Sequence, residues 1–216
     1  VSASSGRILV VCTANICRSP AAAGLLAAQL SDIPFRIDSA GVSAYAGARM
    51  CPASRALATA AEPSAADRFA AHASQPAARS QVRDADLVLA LDRGHRAALV
   101  RSAPAARARI FTLREAAALA GPLATSTPVT LPDSAVDRLR WWVAELDAAR
   151  HAQPPTPEPG PGRVHPHDVP DPHVVGAQYH PLAFDRIGSS VAALAASLST
   201  VVGFVLSSAP FTLDEA

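Results

Sequence analysis

Five residues separate Cys12 from Arg18 in the run Cys12-Thr13-Ala14-Asn15-Ile16-Cys17-Arg18-Ser19. A cysteine attacks as its thiolate, and converging backbone N–H groups beside a cation can bring a thiol from about 8.5 into the range of roughly 3.5–7.5. The same amides form a nest for a tetrahedral oxyanion such as phosphate. Those of Thr13, Ala14, Asn15, Ile16 and Cys17 are the candidates here. Arg18 adds a planar fork able to hold two phosphate oxygens at once, which a lysine cannot copy. Ser19 can donate to a departing thiolate, and Asn15 is the non-glycine type best suited to a left-handed turn of the loop. A cysteine at a strand end also serves as a small packing hydrophobe. Position must therefore decide between chemistry and packing.

The flanking residues supply that position. Arg7-Ile8-Leu9-Val10-Val11 is a β-branched apolar run that stops at Cys12, and Ser19-Pro20 opens an Ala/Leu-rich helical stretch through Leu30. Further strands are expected at 35–38, 87–91 and 109–113, with helices over 76–82, 93–100 and 132–150. Strands alternating with helices imply βα units and a parallel sheet, whose ligands gather at the carboxyl ends of the strands. The loop after the first strand is that place. Gln153 to Pro166 is dense in Pro and Gly and reads as a loop within the domain. In the uncharged C-terminal stretch, Ile187, Val191, Leu194, Leu198, Val201 and Val205 recur at helical spacing, with Ser190, Ser197 and Thr200 expected on other faces. This predicts an amphipathic helix packed on a core rather than a membrane span.

Val11 to Pro20 resembles the signature loop of the low-molecular-weight protein tyrosine phosphatases, in particular the bacterial type. The resemblance continues through Asp38-Ser39-Ala40-Gly41, His72, the run Ala85 to Asp92, Phe111 to Glu115, and Asp168-Val169-Pro170-Asp171-Pro172. It implies a flavodoxin-like three-layer α/β fold, a central parallel four-stranded sheet flanked by helices. One domain is expected to span 1–216, with the Pro/Gly-rich loop at about 153–166 and a short N-terminal extension over 1–6. The implied activity is hydrolysis of phosphotyrosine monoesters through a phosphocysteine. Cys12 is then the nucleophile, Arg18 the phosphate clamp and Asp171 the general acid. Asn15, Ser19, Ser39 and His72 hold the loop and Asp92 braces it. The implied partner is a phosphotyrosine-bearing protein, such as a bacterial tyrosine kinase, and no cofactor is required.

Four positions depart from the family pattern. Ala14 stands where most members have Gly, tolerable if its φ stays negative. Ala23 replaces a common Glu, and Gln75 a frequent Arg. His173 stands where many members have Tyr, which remakes one wall of a substrate slot whose other side Tyr45 can line. The same loop would bind arsenate, so an arsenate reductase drawing on an external low-molecular-weight thiol is the competing enzyme. A phosphate-binding module without turnover is the non-enzymatic alternative, and it would have no need of Asp171. Cys17 either packs against the sheet or captures an oxidised Cys12 as a disulfide.

Composition narrows the rest. Half the 216 residues are apolar and 17% are charged, which excludes a wholly disordered chain. Nineteen Lys+Arg against eighteen Asp+Glu leave a net charge of +1, too weak a field for a nucleic-acid or membrane-surface partner. No export signal is evident in VSASSG, and the three cysteines lack a paired spacing, so a reducing cytoplasm is the expected compartment. His165, His167, Asp168, Asp171, His173 and His180 crowd together. No pair of them sits on a recognisable helix face, so they are read as a solvated loop, with no metal site expected.

Overall fold

The computed structural model describes residues 5–123, 131–154, 156–160 and 163–203. Four parallel strands, β1 (Gly6–Cys12), β2 (Phe35–Gly41), β3 (Leu87–Ala90) and β4 (Ile110–Thr112), lie in the order β2-β1-β3-β4. The chain runs from β1 to one side, then crosses over to β3 on the other, so the order reverses at β1. In an open parallel sheet that reversal leaves a crevice beyond the strand ends, where ligands bind. The register places Cys12 opposite Gly41 and Val11 opposite Ala90, so the loop after β1 emerges between the ends of its two neighbours.

Alternation along the strands makes the two faces of the sheet. Ile8, Val10, Leu87, Leu89 and Phe111 face the larger core, packed by α1 (Arg18–Gln29), α6 (Leu113–Leu123), α7 (Ala135–Ala152) and α9 (His180–Gly203). Leu9, Val11, Val88, Ala90 and Ile110 face the smaller core, covered by α4 (Arg79–Asp84) and α5 (Arg93–Ser102). Helices on both faces of a parallel sheet make three layers, as expected. Between β2 and α4 lie α2 (Pro52–Ala61) and α3 (Ala66–Ala70), and the four-residue α8 (Pro172–Val175) precedes α9.

Several boundaries differ from expectation. The helix expected from Pro76 starts at Arg79, because residues 75–77 run extended beside the end of β2: the Gly41 N–H donates to Gln75 O, and that of Ala77 to Gly41 O. Ala135 begins α7 because the Ser134 hydroxyl caps it, accepting from Asp137 N–H at 3.1 Å. Gly6, expected in an extension, is already part of β1. In α9, Ile187, Val191, Leu194, Leu198 and Val201 are buried as expected, while Val205 lies outside the described residues. Ser190 and Ser197 are buried as well. Ser197 relays a hydrogen bond, accepting from Trp142 Nε1 at 3.0 Å and donating to Ala120 O at 3.2 Å. A buried indole N–H needs such a partner. Among the described residues no helix is long and apolar enough to cross a membrane. Residues 1–4 of the expected extension, and 155, 161 and 162 of the Pro/Gly-rich loop, lie outside the described residues.

Candidate active site

The loop after β1 turns sharply because Asn15 takes a left-handed conformation, φ 56°, the one positive φ outside glycine among the described residues. Ala14 therefore keeps a conformation open to a Cβ, and the departure from glycine costs the loop nothing there. Asn15 is fully buried and its side chain is saturated. Its Nδ2 donates to Ser19 Oγ at 3.0 Å and to Ser39 Oγ at 2.9 Å, and its Oδ1 accepts from Gln75 N–H at 2.9 Å. His72 Nε2 donates to the Asn15 carbonyl at 2.7 Å; burial pushes the His72 pKa down, keeping the ring neutral with a proton to give. Gly41 lies so close beneath that an added Cβ would come within 2.9 Å of Asn15 N and nearer still to Thr13 O. The loop is thus fixed from below by β2 and from the side by the 72–75 segment.

Cys12 Sγ lies 3.0 Å from Ser19 Oγ, and Ser19 sits in the first turn of α1. The N-terminus of α1, which starts at Arg18, adds its dipole to this region and favours negative charge there. Arg18 is 97% withdrawn from solvent, yet reaches across the site. Its NH1 donates to Asp92 Oδ2 at 3.2 Å and Val169 O at 3.0 Å, and its NH2 to Thr13 Oγ1 at 3.2 Å and Asp171 Oδ2 at 2.5 Å. A buried guanidinium needs such partners. Arg18 therefore joins the loop carrying Cys12, at Thr13, to Asp171 through one side chain.

Asp92 follows β3 and caps α5, accepting from His95 N–H at 2.8 Å. Burial would raise its pKa; the His95 ring and N–H, with Arg18, outweigh that and hold it at about 2. His95 lies 3.0 Å from Asp92 through Nδ1 and 2.8 Å from Thr13 Oγ1 through Nε2, so it links the loop to α5. Sequence reasoning passed over His95. The signal was present, a histidine three residues after an Asp at a strand-to-helix junction.

The acid segment is anchored differently. Val169 N–H donates to Leu91 O at 2.9 Å, Arg93 N–H to Asp168 Oδ1 at 2.9 Å, and Arg186 to Asp168 O at 3.1 Å. Asp168 is thus spent on Arg93, whereas Asp171 faces Arg18 and caps α8 by accepting from His173 N–H at 3.1 Å. Arg93 also pairs with Glu158, and Thr156 Oγ1 lies 3.2 Å from His167 Nε2, tying the Pro/Gly-rich loop to this end of the sheet.

Tyr45 stands in the loop after β2 with 90% of its surface exposed, and Ile16 is half-buried on the phosphate loop. His173 is exposed and sets its ring edge-on to His180, centroids 5.5 Å apart. Ala23 and Gln75, the two departures from charged family residues, line one cavity of about 360 Å³ together with Pro20, Asp38, Ser39 and His72. That places both substitutions in one space behind the loop. Cys17 is buried, and burial pushes its thiol up to about 12, with Cys51 and Cys12 adding to the rise and Ser54 opposing it. All three cysteines are free.

Residues 7–122 match the family described as low molecular weight phosphotyrosine protein phosphatase. The low molecular weight protein-tyrosine-phosphatase Wzb of Salmonella typhi is 34% identical over 105 residues, covering 49% of this chain and 66%, just under two thirds, of that protein. The protein-arginine-phosphatase of Geobacillus stearothermophilus is 37% identical over 116 residues, covering 50% of this chain and 70% of that protein. Among solved structures, the tyrosine phosphatase AmsI of Erwinia amylovora superposes with a TM-score of 0.57 at 19% identity, covering 89% of this chain and 93% of that one, a likeness of fold. With more than half its length matched by the family, the chain belongs to the low molecular weight phosphotyrosine protein phosphatases.

Proposed function

We propose that this protein hydrolyses phosphotyrosine monoesters of proteins through a phosphocysteine, and that one domain spanning the chain carries the activity. The observation that supports the reading most directly is the bridge made by Arg18 from the Cys12 loop to Asp171. All four terminal N–H bonds of Arg18 are engaged by protein acceptors in this conformation. A bound phosphoryl group would take over the Thr13 and Asp171 contacts of NH2, leaving Asp171 to face the leaving oxygen. The Cys12 thiolate attacks phosphorus, the phenolic oxygen leaves, and Asp171 protonates it. In the second half Asp171 accepts a proton from water, water oxygen bonds to phosphorus, and the Cys12 thiolate leaves with Ser19 donating to it. Loop amides and Arg18 stabilise the equatorial oxygens in both steps. No step calls on a metal or cofactor.

For the substrate slot, the exposed ring of Tyr45 and the half-buried Ile16 offer apolar surface suited to a flat phenyl ring. The partner this slot suits is a protein segment bearing phosphotyrosine, such as one of a bacterial tyrosine kinase. The Geobacillus relative named for phosphoarginine supports a second substrate, whose guanidinium would need a polar partner in that slot. Paired phosphotyrosine and phosphoarginine peptides test the choice. Preference for phosphotyrosine is expected, and hydrolysis of phosphoarginine alone would overturn it.

A further inference from the structure

We propose that Cys17, Cys51, His173 and His180 together form a binding site for one Zn²⁺ ion. The ligand atoms of these four side chains all lie within 4.8 Å of one another, and all but His173 are buried. Two thiolates and two imidazoles are a donor set that favours tetrahedral Zn²⁺. With Zn–S about 2.3 Å and Zn–N about 2.0–2.1 Å, the edges of such a tetrahedron are roughly 3.4–3.8 Å. Cys51 Sγ and His180 Nε2, 3.4 Å apart, already stand at that separation. The remaining pairs need to close by up to about 1.4 Å, most easily through rotamer adjustment of the exposed His173.

A second observation fixes the chemistry of one ligand independently. His180 Nδ1 lies 2.8 Å from Ala177 O, and a carbonyl can only accept, so Nδ1 carries the proton. Nε2 then presents its lone pair toward the two sulfurs. A metal-binding histidine whose other nitrogen donates to a backbone carbonyl is the usual arrangement that orients the ring. Cys17, His180, Leu57, Ala183 and Ile187 also line a small cavity, which shields the site on the core side, while His173 opens it to solvent.

The position of the ion gives it a role. Cys17 ends the phosphate loop and Cys51 begins α2, its N–H donating to Ile16 O at 2.6 Å. His173 follows Asp171 by two residues, and His180 opens α9. Four protein ligands leave no open position, so the ion is a staple rather than a catalyst. It would bind the acid segment to the phosphate loop, two parts of the chain otherwise joined through Arg18. This site is independent of the phosphatase reading and stands or fails with the metal alone.

Co²⁺ titrated into metal-free, reduced protein is the test. One equivalent is expected to give intense tetrahedral d–d bands and a thiolate-to-cobalt charge-transfer band, both displaced by Zn²⁺. Cys51→Ser and His180→Asn should each abolish them, and Cys12→Ser should retain them. In the wild type, Zn²⁺ at a hundredfold excess over Kd should raise Tm by about 5–10 °C, with no rise in either ligand variant. Far-ultraviolet circular dichroism of the metal-free variants separates loss of a ligand from loss of fold. Weak octahedral bands, or bands that survive Cys51→Ser and His180→Asn but vanish in Cys12→Ser, would overturn the proposal.

Discussion

The loop at residues 12–19 and the segment at 168–173 are fastened to different degrees. Between residues 12 and 19 the chain is locked from several sides: a left-handed Asn15, its amide side chain saturated by Ser19, Ser39 and Gln75, and β2 pressed beneath it at Gly41. Residues 168–173 are held by fewer contacts: Arg18 to Val169 and Asp171, Arg93 and Arg186 to Asp168, and Val169 to Leu91. A rigid anion cradle serves tetrahedral recognition, which tolerates little movement. The acid role proposed for Asp171 in two half-reactions would gain from an attachment that can exchange. The difference makes Arg18 the hinge between the two regions, and substitutions can be ranked by which side they break.

The largest effect is expected from Cys12→Ser, which removes the proposed nucleophile and leaves the cradle. Turnover of an aryl phosphate should fall by at least about 10⁴-fold, while binding of inorganic phosphate, followed by calorimetry, persists. Near-normal turnover would move the chemistry elsewhere. Asp171→Asn should lower kcat by roughly 10²–10⁴-fold, more for poor leaving groups than for good ones. Asp168→Asn should do far less, because its carboxylate is held by Arg93 and not by Arg18. A reversed ranking on a leaving-group series would transfer the acid role. Arg18→Lys breaks both sides at once, with an expected loss of about 10²–10³-fold in kcat, since a point charge cannot replace a fork that spans Thr13 and Asp171.

These contrasts also explain what could be read in advance. The phosphate loop is contiguous, so residue type and order between Val11 and Pro20 expressed the strand, the turn, the nest and the helix start together. The β-branched runs gave the four strands for the same reason. Less legible were α2 and α3: in Pro52–Ala61 the side chains are mostly small and only Ser54 and Ala58 are buried. The histidines were read as one solvated cluster by nearness in sequence, yet His165 and His167 pack on each other while His173 and His180 turn toward Cys17 and Cys51. Cys51 and His180 are 129 residues apart, a distance at which spacing carries no information without the fold.

Stability should follow the loop rather than the acid segment. Asn15→Ala loses three side-chain hydrogen bonds and leaves a residue with no left-handed preference, an expected cost of about 2–4 kcal/mol in urea unfolding. A change below about 0.5 kcal/mol would mean that the loop is held by β2 and the helix alone.

The smallest effect lies in the acid limb of stability, where Asp92 joins the two regions through Arg18 and His95. Its folded pKa, about 2, lies below the ordinary carboxylate value of 3.8. A carboxylate depressed on folding stabilises the native state above its unfolded pKa, and that contribution disappears as pH falls through the folded one. The window is therefore from about pH 4 down to about pH 2, with a contribution on the order of 2 kcal/mol above it. Asp92→Asn should unfold more readily at neutral pH and show a shallower loss of stability across that window than the wild type. Parallel acid titrations of the two proteins would place the depressed carboxylate elsewhere if the slopes coincide. Because Asp92 touches Arg18 on the side away from Thr13, kcat in the variant should fall less than in Asp171→Asn, which separates bracing of the clamp from donation of the proton.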